Sequence, residues 1–403
     1  VAAVTWAGFA AGIAILLLTA GSVFGTLVVP RATAPRLTVL ITGAVRRAFL
    51  LVTDRVDDYL ARDRIEALIG PVLLIGLLVA WVALVFLSFA LLFWPFVASF
   101  GAALQITGSS MFTLGFATPR GAAPVALAFL CAASGLVLVA LQIAYLPTIY
   151  AAFNRRETLV TMLAFLAGVP AWGPEVLIRH ELIDNKERLG WLYERWTEWA
   201  ADVSETHTTY QQLLYFRSPK ALRSWVIGLL AVMDAAALHL SLSPLTAPAS
   251  ARPLLRMGYV ALDDLAGTLG IAVDPDPDPA DPIQLSQAEF DDAVRRLASV
   301  GWKLERSQAE AWKHFHGWRV NYEAAAYGLA LRLDAPPALW SGERRKGRNA
   351  VIQPVRPSHR VPLEGEKEKL LQAGAKRRAA RRAAEHELHA HHDDEVGPPE
   401  AHT

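Results

Sequence analysis

Between residues 98 and 121 the chain reads Ser99-Phe-Gly-Ala-Ala-Leu-Gln-Ile-Thr-Gly-Ser-Ser-Met-Phe-Thr-Leu-Gly-Phe-Ala-Thr-Pro119, rich in hydroxyls and glycines and free of charge. This connection is too apolar for a solvated loop and too short for a further membrane crossing and its return. The composition predicts a short re-entrant helix from about Ala102 to Met111, followed by extended backbone. Such backbone survives at membrane depth only where protein buries it or where it lines a water-filled route. The chemistry on offer is passage along a pore, so no enzyme activity and no catalytic residues are expected.

Other reactive side chains are scattered. Glu205, His207, Asp234 and His239 are metal-ligating types, but their dispersion predicts the satisfied interior of a helix bundle. No glycine-rich phosphate loop follows a strand, which argues against a nucleotide-binding domain. Cys131 is the single cysteine, so an internal disulfide and a multi-cysteine zinc site are both excluded. His386, His389, His391 and His392 lie beside Asp393 and Asp394 in a polar tail. That tail is expected to be solvated, although its composition suits weak metal binding. The formal charge of +1 gives no basis for nucleic acid as a partner.

The elements that must position a pore are apolar helices. Crossing hydrocarbon takes about 20 apolar residues. Three runs suffice: Trp6 to Val29, Pro71 to Val97 and Pro124 to Phe153, none with an acid or base inside. The loop from Pro30 to Gly70 carries seven arginines, among them Arg46, Arg47, Arg55, Arg62 and Arg64, whereas the connection from 98 to 121 carries only Arg120. Cationic loops stay on the cytoplasmic side. A multi-pass protein of the cell membrane is expected, with its N-terminus outside and everything after Phe153 inside. In the first loop, Val45, Phe49, Val52, Val56, Tyr59 and Leu60 recur at helical spacing, predicting an amphipathic helix on the inner membrane surface or a plain connector.

The later half is more charged. Residues 159–171 are apolar but closed by Gly168, Pro170 and Pro174, too short for another span. Helices are predicted through Trp191–Trp199, Ser224–Leu240, Leu254–Leu269, Gln287–Ser299 and Gln308–Leu333, with a stiff Asp-Pro linker from Asp274 to Asp281. The expected units are a first span (1–29), a basic linker (30–70), a pore module (71–153), a helical cytoplasmic domain (154–342) and a basic tail (343–403). Lys376, Arg377, Arg378, Arg381 and Arg382 give that tail the means to touch anionic lipid. The cytoplasmic domain offers room for a ligand or partner whose nature the sequence does not state.

Ala103-Leu104, Thr107 and then Thr113-Leu114-Gly115-Phe116-Ala117 with Pro119 resemble the potassium-channel pore family, a two-helix module around a pore loop. The resemblance covers about residues 71–153. It implies an all-α membrane protein with a pore helix and filter between its second and third spans, assembled as a homotetramer. It implies further that carbonyls of residues 113–117 replace the hydration shell of permeant potassium, with no other cofactor. Thr113 would stand at the inner end, Gly115 would supply the special backbone conformation, and Phe116 would pack behind the filter. Ala117 replaces the family's second filter glycine and Thr118 a common acid, which weakens the outermost ion site. Gly135 and Pro147, in the third span, stand near the family's gating hinge. The alternative is a scaffold or sensor whose pore loop does not conduct.

Overall fold

The structure is a computed structural model describing residues 2–29, 35–344 and 376, so the readings made for the basic, histidine-containing tail lie outside the described residues. Its described elements are helical throughout. In the N-terminal half these are α1 (Ala2–Leu27), α2 (Arg36–Thr53), α3 (Tyr59–Glu66), α4 (Ile69–Phe93), α5 (Phe100–Met111) and α6 (Ala122–Ala167). The remainder forms α7 (Gly173–Leu182), α8 (Arg188–Thr209), α9 (Trp225–Leu242), α10 (Ala251–Thr268), α11 (Gln287–Ser299) and α12 (Gln308–Arg332).

Four helical stretches are long and apolar enough to cross a membrane: α1, the Tyr59–Phe96 stretch built on α4, α6 and α9. They are not alike. Only 22% of the apolar window of α1 and of α6 is buried, against 39% for α4 and 100% for α9. A helix that is apolar on all sides must be enclosed, by lipid or by protein. For α9 the enclosure is protein: it packs against α6, α7, α8, α10 and α12 and forms the axis of the largest hydrophobic core. The other three keep an unburied apolar surface.

Helix α1 lies along α4 through small residues. A Cβ on Gly12 would stand 2.8 Å from the Ser88 carbonyl oxygen of α4, so the two backbones meet where no side chain fits. Trp81 donates its indole N–H to Ser22 Oγ at 3.1 Å, and Thr38 of α2 exchanges hydroxyl hydrogen bonds with Ser22 and Thr26. These contacts join α1, α2 and α4 into one layer.

The first loop differs from the single amphipathic helix that its periodicity suggests. The helix stops at Thr53, and Asp58 restarts it by accepting a hydrogen bond from the Ala61 amide, the ordinary role of an N-cap aspartate. The resulting α3 faces protein: Arg62, Asp63 and Glu66 are all buried. Arg62 pairs with Asp334 at 2.6 Å, while Arg217 pairs with Asp63 and with Glu66. Charges this far from water survive only when paired. The partners supply the reason for the break, since α3 docks onto the C-terminal half of the chain.

Helix α6 is a single helix of 46 residues that runs through Pro147 and past residue 153 without interruption. Its final turns, with Leu159, Val160, Leu163 and Leu166, enter the core around α9. Inside that core Arg319, fully buried, donates to Asp234 at 2.5 Å, to Glu323 at 2.9 Å, to the Tyr327 hydroxyl and to the Trp340 carbonyl.

Candidate functional site

Helix α5 begins where Ser99 accepts a hydrogen bond from the Ala102 amide. Its inward face carries Ala103, Ile106, Thr107 and Met111, packed against Val85, Phe89, Leu92 and Phe93 of α4 and Cys131 of α6. Thr107, fully buried, turns its hydroxyl back to the Ala103 carbonyl at 2.9 Å. The result is a 12-residue helix wedged between two long ones.

The chain after Met111 folds back over the end of α5. The Thr113 amide donates to the Ser110 carbonyl at 3.1 Å, and the Leu114 and Gly115 amides donate to the Ser109 carbonyl at 2.8 and 3.3 Å. The Ser109 hydroxyl accepts from the Ala117 amide at 2.9 Å. Four amides of the segment are thereby tied to two serines. The carbonyl oxygens of Thr113, Leu114, Gly115 and Phe116 accept no hydrogen bond from the described residues. Ser109 was not singled out by sequence reasoning; a hydroxyl within the last turn of a helix that runs into an uncharged segment is the signal that marks it.

Backbone conformation follows the same design. Thr113 has φ +54° and Gly115 φ +75°, with Leu114 between them on the negative side. A β-branched residue in the left-handed region costs of order 1–3 kcal/mol, and such strain gathers at functional sites. Ala117 is not among the residues with positive φ, so its methyl group sits on ordinary backbone. The packing expected of Phe116 is not made within the chain: Leu114 and Phe116 are 63% and 66% exposed, and an added Cβ on Gly115 would meet nothing within 4 Å.

Of the two hinge candidates, Gly135 has a packing reason to be glycine. A Cβ there would stand 2.6 Å from the Met111 carbonyl oxygen, where α6 touches the end of α5. Gly135→Ala is expected to push α5 outward and destabilise the protein by about 1–3 kcal/mol, the usual cost of overpacking. A lowered midpoint in thermal unfolding checks this; an unchanged midpoint would mean the contact yields freely. Pro147 lies inside the continuous helix. Gln142, nearby, keeps a buried Oε1 with no hydrogen-bond partner among the described residues.

The other end of α6 is held as firmly. Arg156 is fully buried and donates to the Leu213 carbonyl at 2.9 Å, to the Phe216 carbonyl at 2.6 Å, to Glu157 and to His207 Nε2 at 3.0 Å. Because Arg156 can only donate, His207 Nε2 accepts, and the ring proton sits on Nδ1. Burial, and then the Arg156 charge, hold the His207 pKa well below 6.5 despite the Val203 carbonyl beside it. Burial likewise lowers His180, against the pull of the Val176 carbonyl.

The sign follows from linkage: above pH 6.5 these rings are neutral folded or unfolded, and below it only the unfolded chain takes the protons readily. Stability is therefore present above pH 6.5 and falls as the pH drops toward the folded-state values, by about 1.4 kcal/mol per pH unit for each ring. His207→Gln should remove one ring's share of that slope in denaturant unfolding followed from pH 7 to 5. An unchanged slope would place His207 in water.

The four scattered metal-type residues do not assemble. His207 serves Arg156, Asp234 serves Arg319, His239 lies 3.4 Å from the Tyr193 hydroxyl, and Glu205 is exposed. No group of three metal-ligating side chains comes together among the described residues. No family model, no curated protein and no solved structure matches the chain.

Proposed function

We propose that the chain is one subunit of a homotetrameric membrane channel for monovalent cations, preferring potassium, with residues 113–117 as its ion-coordinating backbone. The observation that carries this reading is the row of four carbonyl oxygens from Thr113 to Phe116 left without hydrogen bonds while neighbouring amides are tied to Ser109 and Ser110. A backbone so arranged offers oxygen and withholds N–H, which suits a cation that must shed water. The C-terminal end of α5 adds a partial negative charge close by. Exposed Leu114 and Phe116, and the unburied apolar surface of α6 at Leu136, Val137, Val139 and Ile143, are surfaces that neighbouring subunits and lipid would cover.

The test is ion flux through the purified full chain in lipid vesicles under potassium and then sodium gradients. Potassium flux exceeding sodium flux is expected. No flux of either ion would leave the non-conducting scaffold or sensor in its place. Selectivity gives a finer check. Ala117 sits on ordinary backbone, so its carbonyl need not align with those of Thr113 to Phe116, and the outer site is weak. Ala117→Gly is expected to move the reversal potential under bi-ionic conditions toward the potassium equilibrium value. A mutant less selective than the wild type would show that Ala117 is not the weak point.

A further inference from the structure

A cleft of about 80 Å³ opens where α3, the start of α4, the N-terminus of α9 and the end of α12 converge. Ser218, 8% exposed, lines it with its Oγ lacking a hydrogen-bond partner among the described residues, an arrangement that costs about 1–3 kcal/mol unless something fills it. Beside it begins the 18-residue α9, whose Ser224 side chain and carbonyl accept from the Ile227 and Gly228 amides. The amides of Trp225 and Val226, which also line the cleft, have no partner within the helix, as in any first turn.

The charges of the wall are unevenly spent. Asp63 and Glu66 are taken by Arg217, and Asp334 by Arg62. Arg46, Arg223 and Arg332 line the same cleft. Arg223 and Arg332 make no ion pair among the described residues; Arg223 donates only to the Thr161 hydroxyl, at 3.2 Å. A buried hydroxyl, a helix N-terminus and the guanidinium groups of Arg223 and Arg332 together favour a compact anion.

We infer that this cleft binds a phosphate-class oxyanion, with Ser218, the first turn of α9 and Arg223 as its principal contacts. The cleft has room for a single phosphate group. Ile69, which opens α4, lines the cleft, so the phosphate of a lipid headgroup can reach it as readily as free phosphate. An anion here would bridge the α3–α4 corner to α9 and α12, and the inference holds whether or not the chain conducts ions.

Titration calorimetry of the detergent-solubilised full chain with inorganic phosphate forms one arm. The other uses lipid nanodiscs with and without phosphatidic acid in phosphatidylcholine, read by native mass spectrometry of retained lipid. Saturable binding is expected in at least one arm, weakened about tenfold by Ser218→Ala and by Arg223→Gln, since each removes a bond to a charged ligand. Ser218→Ala loses no bond inside the protein and removes an unpaired buried hydroxyl, so its thermal midpoint should not fall; Arg332→Gln, on the exposed rim, gives a further variant that leaves the core untouched. Binding in the phosphate arm alone identifies a soluble ligand, and binding in the lipid arm alone identifies a headgroup. Absence of binding in both arms, or binding that Ser218→Ala and Arg223→Gln leave unchanged, overturns the inference.

Discussion

Gly115→Ala is expected to leave the protein folded in the membrane and to abolish its ion flux. The two effects separate because of the local geometry. An alanine methyl at this position meets no atom within 4 Å, so packing does not oppose it. What opposes it is the φ of +75°, which costs an L-residue with a Cβ roughly 1–2 kcal/mol. The cheapest relief is rotation of the peptides flanking residue 115, and that rotation re-aims the unbonded carbonyls between Thr113 and Phe116. In the proposed fourfold assembly the distortion would repeat in every subunit. The check is flux from vesicles containing equal amounts of folded wild-type and mutant protein. Wild-type flux in the mutant would mean that ions do not pass along this backbone.

The second large effect is on stability. Arg156→Ala should destabilise the protein by about 3–5 kcal/mol, the usual result of removing one member of a buried charged network. The substitution strips hydrogen bonds from the Leu213 and Phe216 carbonyls and from His207, and it leaves the Glu157 carboxylate buried beside a cavity. It also removes a cation placed over the Phe153 and Trp225 rings, 5.2 and 5.5 Å from their centroids. Denaturant unfolding gives the magnitude. A loss below about 1 kcal/mol would fit a solvated surface arginine and contradict the burial described above.

How much of this could be read in the sequence depended on how local the causes were. Long uncharged runs announce themselves, so the second span, expected from Pro71, forms a helix from Ile69, and the short helix expected from about Ala102 to Met111 spans Phe100–Met111. The capping box at Ser286 and Glu289 likewise marks the start of α11 from within four residues. Distant partners leave no such trace. Asn154-Arg155-Arg156-Glu157 reads as the solvated end of a span, yet Arg156 is buried by groups 51 to 60 residues further along. The docking of α3 rests on Arg62 and Asp334, 272 positions apart, which no periodicity connects.

Helix α9 exposes a different limit, because composition alone cannot tell enclosure by lipid from enclosure by protein. Its Asp234 and His239 were the clues to the second, and the first becomes legible only once Arg319 and Tyr322 are seen to bind Asp234. At the candidate site, the uncharged segment and its glycine were visible in advance. The clamp formed by Ser109 was not, since its hydroxyl bonds an amide that lies eight residues away and only after the chain has turned back.

Finally, α6 continues as helix straight through Pro147. From Arg156 back to Ala122 it is about 51 Å of unbroken helix at 1.5 Å per residue. Arg156 fixes one end as a fulcrum, and Gly135 bears on the end of α5 partway along. A rod mounted this way converts rotation at one end into sideways travel at the other. A tilt of ~10° about Arg156 would sweep the Ala122 end through ~9 Å, given that rise per residue. At Gly135 the same tilt moves the rod by ~5 Å, more than the contact with Met111 can absorb unless α5 travels with it. Moving as one rod, α6 would carry a displacement of the C-terminal half, enlarged in distance, to the segment after α5.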